Sequence, residues 1–334
     1  MTTDLKETEK TINTLTGKLQ ALKQEIKKVI VGQDEIIDQL LITFLAGGHG
    51  LLEGVPGLAK TLMIRTLSEA IDLHFRRIQF TPDLMPSDII GTEVLEEDHA
   101  TGKRFFKFNK GPIFANIILA DEINRTSPKT QAALLEAMQE FEVTYAGTTY
   151  PLDKPFFILA TQNPIEQAGT FPLPEAQLDR FLLYIKVSYP TLEEELNILS
   201  QTTGKKKGKV EKVITAQEII TLQQFVREIH ISQELIEAVG RLVRATRPNE
   251  THDTYVKEWV RWGAGPRAGQ AMILTAKARA ILQGRLAVTP EDIAHVAYPV
   301  LRHRILMNFK AEAENVSSDA VCKHLLQNST IKLL

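Results

Sequence analysis

The stretch Gly54-Val55-Pro56-Gly57-Leu58-Ala59-Lys60-Thr61 constrains this chain more than any other. It is a glycine-rich turn set between the apolar run Gly50-Leu51-Leu52-Glu53 and a helical pattern that opens at Leu62. A polyphosphate needs backbone N–H donors at close range, a helix N-terminus behind them and one mobile cation. The glycines, the helix start and Lys60 supply these. Thr61 adds a hydroxyl of the kind that holds Mg²⁺. The spacing follows the phosphate-loop pattern G-x-x-x-x-G-K-[ST] except at Ala59, where the generic pattern has glycine. The bland alternative is a Gly/Pro turn ending in a solvated lysine; the strand before, the helix after and the Lys-Thr pair argue against it.

With 334 residues, 43% of them hydrophobic and 24% charged, the chain is long enough for two folded domains and too apolar to be disordered. A formal charge of −2 and a pI near 6.5 leave no global basic field for nucleic acid or an anionic membrane, so neither is an expected partner. Cys322 has no second cysteine for a disulfide and no neighbours suited to a metal site. No apolar stretch approaches the roughly 20 residues of a membrane helix, and the N-terminus lacks a signal layout. A cytoplasmic location is expected.

Leu15, Leu19, Leu22, Ile26 and Val29 recur at helical spacing among Lys, Glu and Gln, which predicts an amphipathic helix. The break at Ile30-Val31-Gly32-Gln33 precedes a second helix from Asp34 to about Leu45. Val31 and Gly32 admit two readings, the lining of a base-binding pocket and a plain turn between helices. Beyond the loop helix, a short strand is expected over Phe75–Phe80, an excursion around Pro82 to Gly91, and a hairpin pairing Thr92–Glu96 with Arg104–Phe108. Ile117-Ile118-Leu119-Ala120 reads as a strand buried on both faces, ending in Asp121-Glu122. Ser127-Pro128 starts a helix with serine as its cap. A second hairpin turns at Ala146-Gly147, and further strands are expected over Phe156–Thr161 and Phe181–Ile185.

Strands alternating with helices predict an α/β fold, a parallel sheet flanked by helices with the ligand at the C-terminal strand ends. That rule gathers Gly54 to Thr61, Asp121, Glu122 and Asn163 into one crevice. After Pro190 only helical patterns remain, with capping-box starts at Thr191/Glu194, Thr215/Glu218 and Thr289/Asp292. The expected division is a nucleotide-binding core over 1–189 and an all-helical lid over 190–334.

Beside a phosphate loop, an acidic pair at a strand end has a definite use. Asp121 is the candidate Mg²⁺ ligand and Glu122 the candidate general base, against the plain alternative that Glu122 caps the next helix. Asn163 stands where it would orient the attacking water, although a lone asparagine there also reads as a turn residue. Charge developing on a γ-phosphate calls for arginine. Arg180 in Leu178-Asp179-Arg180-Phe181 and Arg267 after Pro266 are the candidates, with Arg125 a weaker one; on local sequence each also reads as a surface salt-bridge arginine.

Taken together, Gly54 to Thr61, Asp121-Glu122-Ile123-Asn124-Arg125, Ala160 to Pro164, Glu175 to Phe181 and Pro266-Arg267-Ala268 resemble the MoxR family of AAA+ ATPases, over about Lys28 to Arg304. That family's own loop carries alanine before the lysine, which accounts for Ala59. The resemblance implies a nucleotide-binding core followed by a helical lid, ATP and Mg²⁺ at subunit interfaces, and a ring, usually a hexamer. It implies that Lys60 and Thr61 belong to Walker A, Asp121 and Glu122 to Walker B, Asn163 is sensor 1, Arg180 is the arginine finger given to a neighbour, and Arg267 is sensor 2. By the same likeness the Leu84 to Gly91 excursion and the Tyr145-Ala146-Gly147 hairpin are inserts that handle substrate. The family's members are chaperone-like remodelling or maturation factors, often working beside a protein with a von Willebrand factor A domain. Rival readings from other classes are a nucleotide-dependent scaffold that scarcely turns over and a nucleic-acid motor on the same fold.

Overall fold

The structure is a computed structural model that describes residues 2–55, 57–97, 102–164, 169–202 and 209–327. Pro56, part of the first hairpin's turn and most of the basic loop near Lys205 lie outside the described residues. In chain order the elements are α1 (Thr2–Lys27), α2 (Asp34–Leu45), β1 (Gly50–Gly54), α3 (Lys60–Ile71), β2 (Phe75–Gln79), α4 (Pro86–Ile90), β3 (Gly91–Glu97), β4 (Arg104–Lys110) and β5 (Ile117–Asp121). A 3₁₀ turn (Ile123–Arg125) leads to α5 (Pro128–Glu140), β6 (Glu142–Tyr145), β7 (Thr148–Pro151), β8 (Phe157–Gln162), α6 (Glu175–Leu178) and β9 (Leu183–Val187). The remainder is α7 (Leu192–Thr202), α8 (Ala216–Glu228), α9 (Gln233–Ala245), α10 (Thr254–Trp259), β10 (Val260–Trp262), α11 (Pro266–Leu282), α12 (Pro290–Leu301), β11 (Leu306–Met307), α13 (Phe309–Ala313) and α14 (Ser318–Leu326).

Five strands form one parallel sheet in the order β2-β5-β8-β1-β9, as the apolar runs predict. Alternate residues feed opposite faces. Leu51, Ile118, Ala120, Ile158 and Ala160 pack with Leu134, Leu135 and Met138 of α5. Leu52, Ile117, Leu119, Phe157 and Leu159 face the other way, onto Phe44 of α2 and Ile64 and Leu67 of α3. This second core does not stop at the sheet: it continues through α1 into α8, α9, α11 and α12. The amphipathic N-terminal helix thus finds its partners, with Leu19 and Leu22 fully buried. Each such leucine contributes about 2 kcal/mol on leaving water.

The hairpins β3–β4 and β6–β7 lie outside the sheet and touch each other. Phe108 of β4 stacks on Tyr150 of β7, ring centroids 4.5 Å apart, with Tyr145 of β6 at 5.1 Å. Three details differ from the sequence reading. The lid carries a short antiparallel ribbon, β10 with β11, among its helices. The last core strand runs Leu183–Val187 and not from Phe181, because Phe181 and Leu182 form the turn that enters it. Ser127 occupies the N-cap of α5 in extended backbone, but its hydroxyl meets Thr130 Oγ1 at 3.2 Å and makes no cap bond to the backbone. All three capping-box starts of the lid are present; the glutamates of the first two accept from the threonine N–H at 2.9 and 3.0 Å.

Candidate functional site

β1 delivers the loop and α3 closes it. Ala59 takes the left-handed conformation, φ 55°, as N-cap of α3, and no side chain caps that helix. The first-turn N–H groups therefore remain available to an anion. A left-handed alanine costs about 1 kcal/mol that glycine would not, which is why the generic pattern has glycine here. Lys60 folds back so that its Nζ donates to Gly54 O at 2.7 Å. Partial burial pulls its pKa down, while the charges of Asp121 and Glu122 oppose that shift.

A cavity of about 440 Å³ opens beside it, lined by Gly57 to Leu62, Arg77, Asp121, Glu122 and Asn163. The parallel order of β5, β8 and β1 produces this meeting: the C-terminal ends of three adjacent strands bring together residues about sixty and forty positions apart in the chain. Gly54 and Val55 lie at the base of the loop and do not line the cavity.

Asp121 ends β5. Its Oδ1 accepts from Thr161 Oγ1 at 2.6 Å, and the same hydroxyl accepts from Glu122 N at 2.9 Å, so one buried threonine on β8 orients both acidic residues. Its Oδ2 accepts from Arg77 Nε and Nη2 at 3.1 and 2.6 Å. Glu122 sits at φ 59°. Its Oε2 accepts from Arg125 Nη1 at 3.1 Å and Gln79 Nε2 at 3.3 Å. Asn163 is buried just past β8, at the cavity wall. Arg77, Gln79 and Thr161 escaped the sequence reading. Their signal was an arginine and a glutamine two apart in a short strand, and a threonine two residues before Asn163, none of which carries meaning until β2 and β8 are known to flank β5.

The described residues hold no group of three or more His, Cys, Asp or Glu suited to a metal ion. A metal here would take Asp121 and Thr61 as protein oxygens and the rest from phosphate and water, the habit of Mg²⁺. The uncapped helix start, the flexible Lys60 and a carboxylate at the cavity's edge fit a metal-bound nucleotide.

The remaining candidates stand elsewhere. Arg267, first turn of α11, reaches Asp179 Oδ2 at 3.5 Å and is half-exposed. Arg180 follows α6, partly buried, and does not line the cavity. Its segment is held from the lid: the buried Arg304 donates Nε to Asp179 Oδ1 at 2.7 Å and Nη2 to Phe181 O at 2.8 Å, with His303 Nε2 on the same carbonyl at 3.0 Å. Val31 and Gly32 form the turn between α1 and α2. Glu194 of α7 presses on Gly32 and accepts from Gln33 N at 3.2 Å, beside a second cavity of about 410 Å³ that includes Gln33, Tyr189 and Arg302.

Residues 49–183 match the model of the ATPase family associated with various cellular activities (AAA), and residues 252–325 match that of the AAA lid domain. Chaperone MoxR1 of Mycobacterium tuberculosis is 43% identical over 304 residues, covering 91% of this chain and 79% of that protein. Protein MoxR of Methylorubrum extorquens is 30% identical over 302 residues, 85% of this chain and 86% of that one. The crystal structure of a Cytophaga hutchinsonii protein superposes with a TM-score of 0.89 at 44% identity, covering 97% and 98% of the two chains. With a parallel α/β core, a helical lid and relatives of this closeness, the chain belongs to the MoxR family of AAA+ ATPases.

Proposed function

We propose that this protein binds ATP with Mg²⁺ in the cavity at the phosphate loop and hydrolyses it to remodel a client protein. The observation that carries this reading is the convergence of Lys60, Thr61, Asp121, Glu122 and Asn163 on one cavity from three strand ends. When bound, Mg²⁺ neutralises phosphate charge and ATP presents the γ-phosphoryl group. Gly57 to Ala59 offer backbone N–H groups above the loop's base at Gly54 and Val55, and Lys60 exchanges Gly54 O for phosphate oxygen. Thr61 and Asp121 hold the metal, Glu122 takes a proton from the attacking water, and Asn163 orients that water. Val31 and Gly32 serve the base.

Arg180 stands outside its own subunit's cavity, which supports its use as a finger on a neighbour's nucleotide in a homo-oligomeric ring, hexameric by family likeness. Arg267 acts from the lid. The proposed division is a core over 1–189 and a lid over 190–334, a reading supported by the break between the end of β9 at Val187 and the start of α7 at Leu192. The relative named Chaperone MoxR1 supports a protein client; a von Willebrand factor A domain protein as working partner and a cytoplasmic setting are proposed from the family resemblance alone.

The test is direct. Lys60→Ala loses Mg-ATP affinity, because the phosphate-facing cation is gone. Glu122→Gln keeps that affinity and loses turnover, because only the base is gone. Hydrolysis by Glu122→Gln near the wild-type rate would remove Glu122 from the chemistry.

A further inference from the structure

The Asp121 carboxylate has one oxygen committed to the interior and one turned to the cavity. Oδ1 is taken by the buried Thr161 hydroxyl at 2.6 Å. Oδ2, the oxygen a metal or its bound water would need, is taken by two N–H groups of Arg77. The Arg77 side chain is 48% exposed and that of Asp121 only 12%, so the guanidinium lies between the carboxylate and open solvent. Arg77 belongs to β2, the edge strand beside β5, and Gln79 Oε1 steadies its Nη2 at 2.5 Å.

Charge points the same way. In the cavity lining Lys60 and Arg77 balance Asp121 and Glu122, and Arg125 pairs with Glu122 at 3.1 Å from outside that lining, so no net negative charge is left to draw a cation. A divalent cation approaching Oδ2 alone meets the Arg77 guanidinium at contact range, whereas a triphosphate is attracted by Lys60 and Arg77. The planar guanidinium fork matches phosphate oxygens as well as it matches a carboxylate, and its half-exposed stem gives it room to turn from one to the other.

We propose, building on the reading of this cavity as an ATP and Mg²⁺ site, that Arg77 holds the cation's place on Asp121 until nucleotide arrives. ATP draws the guanidinium onto its phosphates, Oδ2 is freed, and metal enters only with nucleotide. Arg77 is thus a positioning residue for the metal ligand and a binding residue for ATP.

The probe is Mn²⁺ followed by electron paramagnetic resonance on the full chain, with Arg77→Gln, Arg77→Lys and Arg77→Gln/Asp121→Asn variants checked for folding by thermal unfolding. Wild type without nucleotide shows no tight Mn²⁺ site and gains one when ATP is added. Arg77→Gln binds Mn²⁺ without nucleotide at least about tenfold more tightly than wild type, the scale of a charge-assisted bond removed from the ligand. The double variant loses that gain. Arg77→Lys, which keeps the charge without the fork, falls between, and it carries the comparison alone if Arg77→Gln does not fold. ATP affinity in EDTA drops about tenfold in Arg77→Gln. Equal nucleotide-free Mn²⁺ binding in wild type and variants that still bind ATP would overturn the role of Arg77 alone. A gain that persists without Asp121 would overturn it too. Wild type that binds no ATP at all would bring down the reading of the cavity itself.

Discussion

Thr161 is the residue on which the acidic pair depends, since a single buried hydroxyl donates to Asp121 and accepts from the Glu122 backbone. Thr161→Val keeps the shape and removes both bonds. The expected outcome is a loss of about 1–3 kcal/mol in stability, the cost of orphaned buried polar groups, together with a fall in ATP turnover larger than the fall in ATP affinity. Urea unfolding and steady-state kinetics would check the two parts. His49 sets a pH dependence. It is buried between α5 and β8, where Nε2 meets Met138 O at 3.0 Å and Nδ1 accepts from Ile158 N at 3.0 Å, a pattern that requires the neutral ring. Burial lowers its pKa from 6.5 to about 4. The unfolded chain therefore takes up a proton first as the pH falls. Stability attributable to this group is whole above pH 6.5 and is lost towards pH 4, on the order of 3 kcal/mol. His303, also buried and lowered by burial first, acts in the same direction. Urea midpoints between pH 8 and pH 4.5 should fall, and His49→Gln should flatten the slope. The loop, Asp121, Glu122 and Asn163 could be read locally because each follows a recognisable strand or turn. Arg77 and Thr161 could not, since an arginine and a threonine in strands acquire their roles only from which strand lies beside which.

At the scale of elements, the turn that carries Arg180 is fastened by the turn that follows α12. Arg304, 4% exposed, spans Asp179 and the carbonyls of Phe181 and Val300. Desolvation lowers its pKa and the Asp179 carboxylate opposes that shift. Arg304→Met should cost roughly 2–4 kcal/mol, less than a fully buried pair because Asp179 keeps some solvent. It should also reduce ATP turnover while leaving Mg-ATP affinity close to wild type, as the fastened turn and not the phosphate loop is disturbed. Calorimetric melting beside nucleotide titration separates these effects. From sequence, Arg302-His303-Arg304 resembles any solvated basic run after a helix; only the docking of α12 against β9 turns it inward. The hairpins were readable from turn residues and alternation, but their union through Phe108, Tyr145 and Tyr150 is a long-range contact that local patterning does not encode.

Across the whole molecule, one apolar cluster unites the sheet's inner face with α1, α2, α3 and the lid helices α8 to α12 and α14, so the lid is packed onto the core and not tethered beside it. Core and lid were separable in sequence because alternating strand and helix patterns give way to helices after Pro190. Their shared packing was not, as each amphipathic helix shows an apolar face without showing what covers it. The cavity holds Gly57 to Thr61 of the loop, both carboxylates and Asn163, while Arg180 lies outside it; the proposed ring would bring a neighbour's Arg180 to it. Hydrolysis should then require two subunits, one giving the site and its neighbour giving the arginine. The most direct measurement is ATPase rate against mixing ratio for Lys60→Ala subunits, with intact fingers and dead sites, and Arg180→Ala subunits, with intact sites and no finger. Arginine fingers are worth roughly 10³-fold or more, so each variant alone should be nearly inactive, and exchanged mixtures should rise well above the sum of the two. A rate that stays at that sum in verified mixed rings would contradict a site completed by the neighbouring subunit's arginine.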